Sequence, residues 1–269
     1  MSGRLLEPIR STANARVRAW ARLKSGRRRR EANRFLVDGE YEVRQAIEGG
    51  LVFEEILFRE DLAEEIVDRL RENAEACGFP LRPLAREALE KVSLREKPDG
   101  VIGVGITPSR DFALPENLEG PIVVATRLEK PGNLGAIIRT AYAAGAAGVV
   151  LCDPAVDFEN PQVIRASRGL VFRLPGWVAS SLQAKEVFQK RSLSVYAADK
   201  KGEDDLWNVP WSRTPVIVLG EEHAGLAEPW SGDGIQRVRI PMREGIDSLN
   251  VSVSGALFLY EWRRRMNIL

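Results

Sequence analysis

The chain has 269 residues, enough for about two domains of ordinary size. Its composition, 44% hydrophobic and 29% charged with 23 Gly and 15 Pro, excludes collagen-like, low-complexity and wholly disordered proteins. Two cysteines, Cys77 and Cys152, cannot build a disulfide framework, and with one histidine they offer no structural zinc site. We therefore expect two buried thiols and no metal centre.

The net charge of +1 conceals a strongly basic N-terminal region. Eleven Lys and Arg residues against Glu7 and Glu31 give residues 1–34 a formal charge of +9, so the rest of the chain carries −8. Such an uneven distribution of charge along the chain indicates contact with a polyanion, most commonly nucleic acid, although a solvated basic arm has the same composition. The candidate phosphate-binding residues are Arg27, Arg28, Arg29, Arg30 and Arg34.

Membrane and export signals are not evident. No apolar run approaches the about 18–20 residues that span a bilayer, and the basic N-terminus is not followed by the apolar stretch of a secretory signal. We expect a cytoplasmic protein without a membrane association.

The first half alternates short strands and helices. Residues 13–24 have apolar side chains at helical spacing, and the arginine run 27–30 then interrupts any core-forming pattern. Strands are predicted at 35–37, 54–60, 80–85 and 100–106, and helices ending at 49–50 and over 61–78 and 86–93. The Pro-containing residues 108–120 then form the predicted linker.

The second half, residues 121–269, repeats the alternation with more apolar strands. Strands are predicted at 121–126, 148–153, 171–175, 194–199, 215–220 and 238–242, and helices at 134–144, 163–167, 184–190 and 251–264. Short apolar strands alternating with helices indicate a parallel sheet covered on both faces. Ligands of such sheets bind beyond the carboxyl ends of the strands.

Three polar, glycine-containing segments follow strands of this half. They are EKPGNLGAIIRTAYAAG at 129–145, LGEEHAGL at 219–226, and IPMREGIDSLNVSVSGALFLYEW at 240–262. Singly, each could be a turn or a helix cap. If their strands are neighbours, the three converge on one crevice. The chain lacks the G-x-G-x-x-G and G-x-x-x-x-G-K-[ST] phosphate cradles, which disfavours dinucleotide-binding and P-loop proteins.

Together these segments resemble the SpoU (TrmH-like) family of RNA ribose 2′-O-methyltransferases, in the SPOUT superfamily. NLGAIIRTA at 133–141 is similar to its first motif, LGEEHAGL at 219–226 to its second, and IPM with SLNVS at 240–242 and 248–252 to its third. The resemblance covers residues 120–265. More weakly, residues 34–47 and 93–105 are similar to the family's L30e-like substrate-binding domain.

The resemblance implies an α/β fold with two domains. A basic extension (1–34) and a smaller L30e-like α/β RNA-binding domain (35–107) precede a SPOUT methyltransferase domain (121–269), which has a parallel sheet and a deep C-terminal trefoil knot. It also implies a homodimer whose sites are completed by the partner chain. S-adenosylmethionine would bind in the knot, held mainly by backbone groups near Leu219, Gly220, Ile240, Met242, Ser248 and Leu249.

The resemblance places catalysis at Asn133, Arg139, Glu222, Ser248 and Asn250. A guanidinium is effectively always charged, so we favour Arg139 as a clamp on the substrate phosphate, leaving open whether it also accepts the ribose proton. Asn133, Ser248 and Asn250 would position the ribose, and Glu222 would orient its loop. His223, the single histidine, is expected to be loop structure or an RNA contact rather than the base.

The attacked 2′-hydroxyl makes RNA the substrate, because DNA lacks it. We favour 23S-type ribosomal RNA, since an additional RNA-binding domain is typical of the family's ribosomal RNA modifiers. The alternatives are a tRNA 2′-O-methyltransferase, a base methyltransferase, and a non-catalytic RNA-binding or ribosome-assembly protein that retains the fold.

Overall fold

A computed structural model describes residues 4–220, 226 and 228–267, which fall into two compact units. Unit 1 comprises Met1–Ser109 and Glu159–Arg173, and unit 2 comprises Arg110–Phe158 and Leu174–Leu269. The chain thus first changes unit within residues 108–120, and it returns briefly to unit 1 at 159–173.

The helices and strands follow in chain order. The helices are α1 Ala15–Arg22, α2 Gly26–Ala32, α3 Glu40–Glu48, α4 Glu64–Cys77, α5 Arg86–Val92, α6 Pro131–Ala144, α7 Pro161–Ala166, α8 Ser181–Lys190 and α9 Val251–Arg265. The strands are β1 Arg34–Asp38, β2 Phe53–Arg59, β3 Leu81–Leu84, β4 Val101–Ile106, β5 Ile122–Thr126, β6 Gly148–Cys152, β7 Gly176–Ala179, β8 Val195–Ala198, β9 Asp204–Asp205, β10 Val216–Leu219 and β11 Ile235–Arg239. Short 3₁₀ helices lie at Leu170–Phe172 and Leu206–Asn208.

Unit 1 is built on a mixed sheet with strand order β1-β4-β2-β3. β4 runs antiparallel to β1 and β2, whereas β3 runs parallel to β2. The basic N-terminal region is part of this unit rather than separate from it: Leu5 and Ile9 bridge to β3, and Val17 and Trp20 of α1 are buried in the same cluster as Leu89 of α5. Apolar burial therefore anchors the segment despite its charge.

A buried carboxylate joins the two segments of unit 1 that resemble the family's substrate-binding domain. Asp38, at the end of β1, accepts hydrogen bonds from the Ser93 hydroxyl at 2.7 Å and the Leu94 backbone N–H at 2.5 Å. Burial raises the pKa of Asp38, and these hydrogen bonds partly oppose the rise. Arg95 donates to the Asp38 carbonyl oxygen at 2.6 Å and to Glu42 at 2.7 Å.

Unit 2 contains the parallel sheet that the sequence predicts. Its strand order is β7-β6-β5-β10-β8-β11-β9, and every pairing recorded between these strands is parallel. The central strands β5, β6 and β10 are buried along their whole length, as expected of a sheet covered on both faces. The predicted parallel sheet is confirmed.

The predicted strand at 171–175 is wrong. Residues 170–172 form a 3₁₀ helix in unit 1, where the Phe172 ring stacks on Phe35 with centroids 5.9 Å apart. Strand β7 begins only at Gly176. A short apolar run does not distinguish a strand from a buried irregular segment, and packing decided between them. The arginine run at 27–30 likewise lies within helix α2.

The cysteines differ from the expectation of two buried thiols. Cys152 is buried, and burial raises the pKa of its thiol to about 12, which keeps it protonated. Cys77 is exposed at the last position of α4, so the expectation is wrong for that residue. Among the described residues, no group of three or more His, Cys, Asp or Glu could hold a metal ion. Every helix of the described part is too short or too polar to cross a bilayer.

Candidate active site

Unit 2 contains a cavity of about 800 Å³ beyond the carboxyl ends of β8, β10 and β11. Ala198, Leu219 and Val238, from the ends of these three strands, contribute to its lining. Its volume is that of a site for a small organic ligand or cofactor. The position agrees with the rule that open parallel sheets bind ligands at the carboxyl ends of their strands.

All six residues that the resemblance assigns to cofactor binding line this cavity. They are Leu219, Gly220, Ile240, Met242, Ser248 and Leu249. β10 and β11 both flank β8, so the segments after them leave the sheet on either side of that strand. Helix α9 then packs closely on β10, where a Cβ on Gly255 would lie 2.8 Å from Leu219 Cδ1.

The lining combines apolar and charged groups that suit an amphipathic cofactor. Leu219, Ile240, Leu249 and Phe258 offer apolar surface for a flat ring. The charged lining residues are Asp199, Lys200, Lys201, Arg237 and Asp247. Carboxylates can face a sulfonium or an ammonium group, and the lysines can face a carboxylate. The cavity therefore fits S-adenosylmethionine in size and in polarity.

The charged lining residues were not among those predicted from the sequence. Asp199, Lys200 and Lys201 directly follow β8, a strand that the sequence did predict. The Asp199 carboxylate accepts a hydrogen bond from Arg237 Nε at 2.8 Å, which links the end of β8 to β11. Polar residues at the carboxyl end of a predicted parallel strand were the signal that could have identified them.

A hydrogen bond between two asparagines joins the first and third motifs. Asn250 Nδ2 donates to Asn133 Oδ1 at 3.1 Å. The other side-chain atom of Asn250, Oδ1, caps helix α9 by accepting from the Ser252 backbone N–H at 2.9 Å. Ser248, Leu249 and Val251 line the cavity, so Asn250 places this asparagine pair at its rim.

Arg139 is not part of the asparagine pair. It is exposed on α6, about 9 Å along the helix axis from Asn133 and on another face. Its guanidinium forms no hydrogen bond or ion pair with the residues that the structure describes. The structure thus joins Asn133 to Asn250, which follows the cavity-lining Ser248 and Leu249 in the chain, and leaves Arg139 on the surface. Glu222 and His223 lie outside the described residues.

The predicted phosphate-binding arginines have different environments. Arg27 and Arg28 pair with Glu31 at 2.7 and 2.8 Å, and these bonds lower the pKa of that carboxyl. Arg34 pairs with Glu54 at 2.5 Å, and Arg30 is exposed. Arg29 is buried and donates to the Lys24 carbonyl oxygen at 3.4 Å. Its side chain packs within unit 1, and its contact with RNA phosphates stays a prediction.

Comparison with known proteins gives matches over most of the chain. The model of the "SpoU rRNA Methylase family" matches residues 120–260, and that of the "MRM3-like substrate binding domain" matches residues 14–103. The "23S rRNA (guanosine(2553)-2′-O)-methyltransferase RlmP" of Bacillus subtilis is 26% identical, with 96% of this chain and 100% of that protein covered. The "23S rRNA (adenosine(1067)-2′-O)-methyltransferase" of Streptomyces laurentii is 36% identical, with 71% and 72% covered.

A solved structure agrees with the fold and with the proposed cofactor. The SpoU methyltransferase AviRb from Streptomyces viridochromogenes, in complex with the cofactor AdoMet, superposes with a TM-score of 0.83 at 26% identity. The match covers 94% of this chain and 98% of that one. With residues of the second and third motifs lining one cavity, the first motif hydrogen-bonded to the third, and the family model covering more than half of its length, the chain belongs to the SpoU rRNA methylase family.

Proposed function

We propose that this protein transfers a methyl group from S-adenosylmethionine to a ribose 2′-hydroxyl of 23S ribosomal RNA. The observation that carries the proposal is that second- and third-motif residues line one cavity, beside which Asn250 of the third motif is hydrogen-bonded to Asn133 of the first. Relatives named as 23S rRNA 2′-O-methyltransferases support the choice of RNA and of reacting atom.

The cofactor would be held by the residues after β10 and β11. When bound, S-adenosylmethionine supplies an activated methyl group on its sulfonium. Leu219, Ile240 and Leu249 would enclose its apolar part, and the backbone of Gly220, which is buried at the end of β10, would approach it closely. The Asp247 carboxylate in the lining would face the sulfonium or the ammonium group of the cofactor.

The remaining residues would bind and orient the ribose. A neutral hydroxyl is a poor nucleophile, so stabilising negative charge on its oxygen lowers the barrier. Arg139 would clamp the phosphate of the target nucleotide bidentately and stabilise that charge. Asn133, Asn250 and Ser248 would fix the ribose by neutral hydrogen bonds, and Glu222 would orient the second-motif loop.

The family's trefoil knot and L30e-like domain are also part of the proposal. Chain order supports the knot: β11 lies beyond β8 in the sheet, and the chain then returns as α9 to pack against α6 and β10 near the sheet centre. The four-stranded mixed sheet of unit 1, within the region matched by a substrate-binding domain, supports the L30e-like assignment.

A homodimer completes the proposal. Tyr260 and Val253 of α9 are about half exposed, at 50% and 47%, and Tyr142 of α6 is 36% exposed. Apolar side chains on two packed helices of the same unit are typical of a subunit interface. If two subunits pair through this face, the exposed Arg139 would lie close to the surface of the partner subunit. The ribosomal substrate implies a cytoplasmic protein.

Methyl transfer to purified RNA tests the function. The protein is incubated with methyl-labelled S-adenosylmethionine and either protein-free 23S rRNA or bulk tRNA, and the RNA is digested and its nucleosides are identified by mass spectrometry. We expect a 2′-O-methylated nucleoside from 23S rRNA. Label only in tRNA would favour the tRNA enzyme, and a base-methylated product would refute ribose transfer. No label in either RNA would favour a non-catalytic binding protein.

Asn250→Ala should reduce the methyl-transfer rate by about 10- to 100-fold, because the ribose loses a positioning contact and the hydrogen bond between Asn250 and Asn133 is lost. Loss of the cap on α9 would add about 1 kcal/mol of destabilisation. Single-turnover kinetics and thermal unfolding measure the two effects separately.

Asn250→Asp is the matched control for that variant. It keeps the oxygen that caps α9 but replaces the Nδ2 donor that binds Asn133. If positioning through the asparagine pair matters, the aspartate variant is as stable as the wild type and still slow. A rate within twofold of wild type for both variants would remove Asn250 from the site.

A further inference from the structure

Two arginines share one exposed tyrosine on unit 1, which contains none of the residues assigned to catalysis. Tyr41, in the first turn of α3, is 37% exposed. The guanidinium carbon of Arg44 lies 5.1 Å from the centre of its ring, and that of Arg168 lies 4.5 Å from it. Both distances are within cation–π range. The aromatic ring therefore holds two positive charges close together.

No anion among the described residues balances these charges. The side chains of Arg44 and Arg168 form no ion pair or hydrogen bond with any described residue. The acidic residues of α3 are engaged with other arginines. These pairs are Glu40 with Arg69 at 2.9 Å, Glu42 with Arg95 at 2.7 Å, and Glu48 with Arg173. The cluster is thus an exposed cationic site whose neighbouring carboxylates are already neutralised.

The turn that carries Arg168 packs closely against α3. Arg168 has a φ of 53° and Gly169 a φ of 76°. A Cβ on Gly169 would lie 2.8 Å from Gln45 Cβ and 3.2 Å from backbone atoms of Glu42, so only glycine allows this approach. A non-glycine residue in the left-handed region is strained, and such strain is concentrated at functional sites.

We propose that Tyr41, Arg44 and Arg168 form an RNA phosphate-binding site. A guanidinium stacked on a ring face keeps its in-plane N–H donors available, and these match phosphate oxygens bidentately. The ring limits the freedom of both side chains, so less entropy is lost when a phosphate binds. Tyr41 and Arg44 lie in the substrate-binding match and Arg168 in the methylase match, so both family regions contribute to the site.

The site rests on the proposed function, because the phosphate that it would bind belongs to the RNA substrate. Removing both charges with Arg44→Gln/Arg168→Asn should weaken binding to protein-free 23S rRNA by about tenfold or more. It should also lower the slope of log affinity against log salt by about one to two, the value for one or two lost phosphate contacts. Asparagine is chosen at 168 because it tolerates the left-handed region. Filter binding at several salt concentrations gives both quantities.

The matched control removes two arginines of unit 1 that are already neutralised. Arg71 pairs with Asp68 at 2.7 Å, and Arg86 pairs with Asp61 at 2.7 Å. Arg71→Gln/Arg86→Gln changes the net charge by the same amount, and its affinity for 23S rRNA should stay within about twofold of wild type, since Asp68 and Asp61 already neutralise these two charges. The single change Arg44→Gln, on the exposed face of a helix, gives a second variant if the double one folds poorly.

Substitutions of Tyr41 test whether the ring positions the two arginines, because they leave both positive charges in place. Tyr41→Leu keeps both arginines but removes the ring, and affinity for 23S rRNA should fall several-fold, whereas Tyr41→Phe should bind as wild type does. A leucine variant with wild-type affinity would overturn the role of the ring. If wild type binds 23S rRNA and the double variant matches its control, the site is refuted while the proposed function stands. Wild-type protein that fails to bind 23S rRNA would contradict both.

Discussion

Arg139→Ala should lower the rate of methyl transfer by at least about 100-fold. This is the size of effect seen when a contact to the transition state is removed. Its affinity for S-adenosylmethionine should stay within about twofold of wild type, because Arg139 does not line the cavity. The side chain is exposed and makes no ion pair with the described residues, so its removal should not unfold the protein. Single-turnover transfer to 23S rRNA and calorimetric cofactor titration measure the two quantities.

Arg139→Lys tests whether charge or geometry matters. Lysine retains the positive charge but not the bidentate fork, so a phosphate clamp should be recovered only in part. A lysine variant with wild-type rate would show that charge alone suffices. Undiminished turnover in the alanine variant would remove Arg139 from the reaction.

Glu55→Ala should destabilise unit 1 by about 3–5 kcal/mol, the range for breaking a buried ion pair. The side chains of Glu55 and Arg82 are 1% and 7% exposed, and they pair at 2.5 Å. Arg82 also donates to the Glu7 carbonyl oxygen at 2.9 Å, and Arg16 reaches Glu55 at 3.0 Å. Loss of the carboxylate leaves a buried guanidinium unpaired and weakens the attachment of the N-terminal segment. Urea unfolding followed by circular dichroism measures the change.

The adjacent residue provides the control. Glu54 pairs with Arg34, and both side chains are at least 30% exposed. Glu54→Ala should therefore cost less than about 1 kcal/mol. Glu55→Leu/Arg82→Met, which removes both charges, should be more stable than Glu55→Ala. Equal losses for Glu54→Ala and Glu55→Ala would show that burial of the pair does not matter.

The architecture of unit 2 could be predicted because its central strands are short, mostly apolar runs separated by helical patterns. β5, β6 and β10 are valine-rich and buried throughout, so their sequence alone indicates a covered parallel sheet. The sequence predictions failed where contacts between residues far apart in the chain determine the local structure. Residues 170–172 are apolar enough for a strand, but Phe172 packs on Phe35 more than a hundred residues away. Arg29 belongs to a charged run, yet it is buried.

The candidate site was predictable in part. Motifs placed after strands β10 and β11 indicated a common crevice, and the six expected cofactor residues do line one cavity. The hydrogen bond between Asn133 and Asn250 spans two distant segments, so no local pattern contains it. The exposed position of Arg139 on α6, apart from that pair, depends on how α6 packs, and the motif alone did not indicate it.

A crystal structure with S-adenosylhomocysteine tests the central claim most directly. We expect the ligand inside the cavity, with its adenosine part between Leu219, Ile240 and Leu249 and its sulfur facing the rim where Asn133 and Asn250 meet. Ligand density elsewhere in the protein, or a bound structure in which the residues after β10 and β11 no longer share one cavity, would contradict the account.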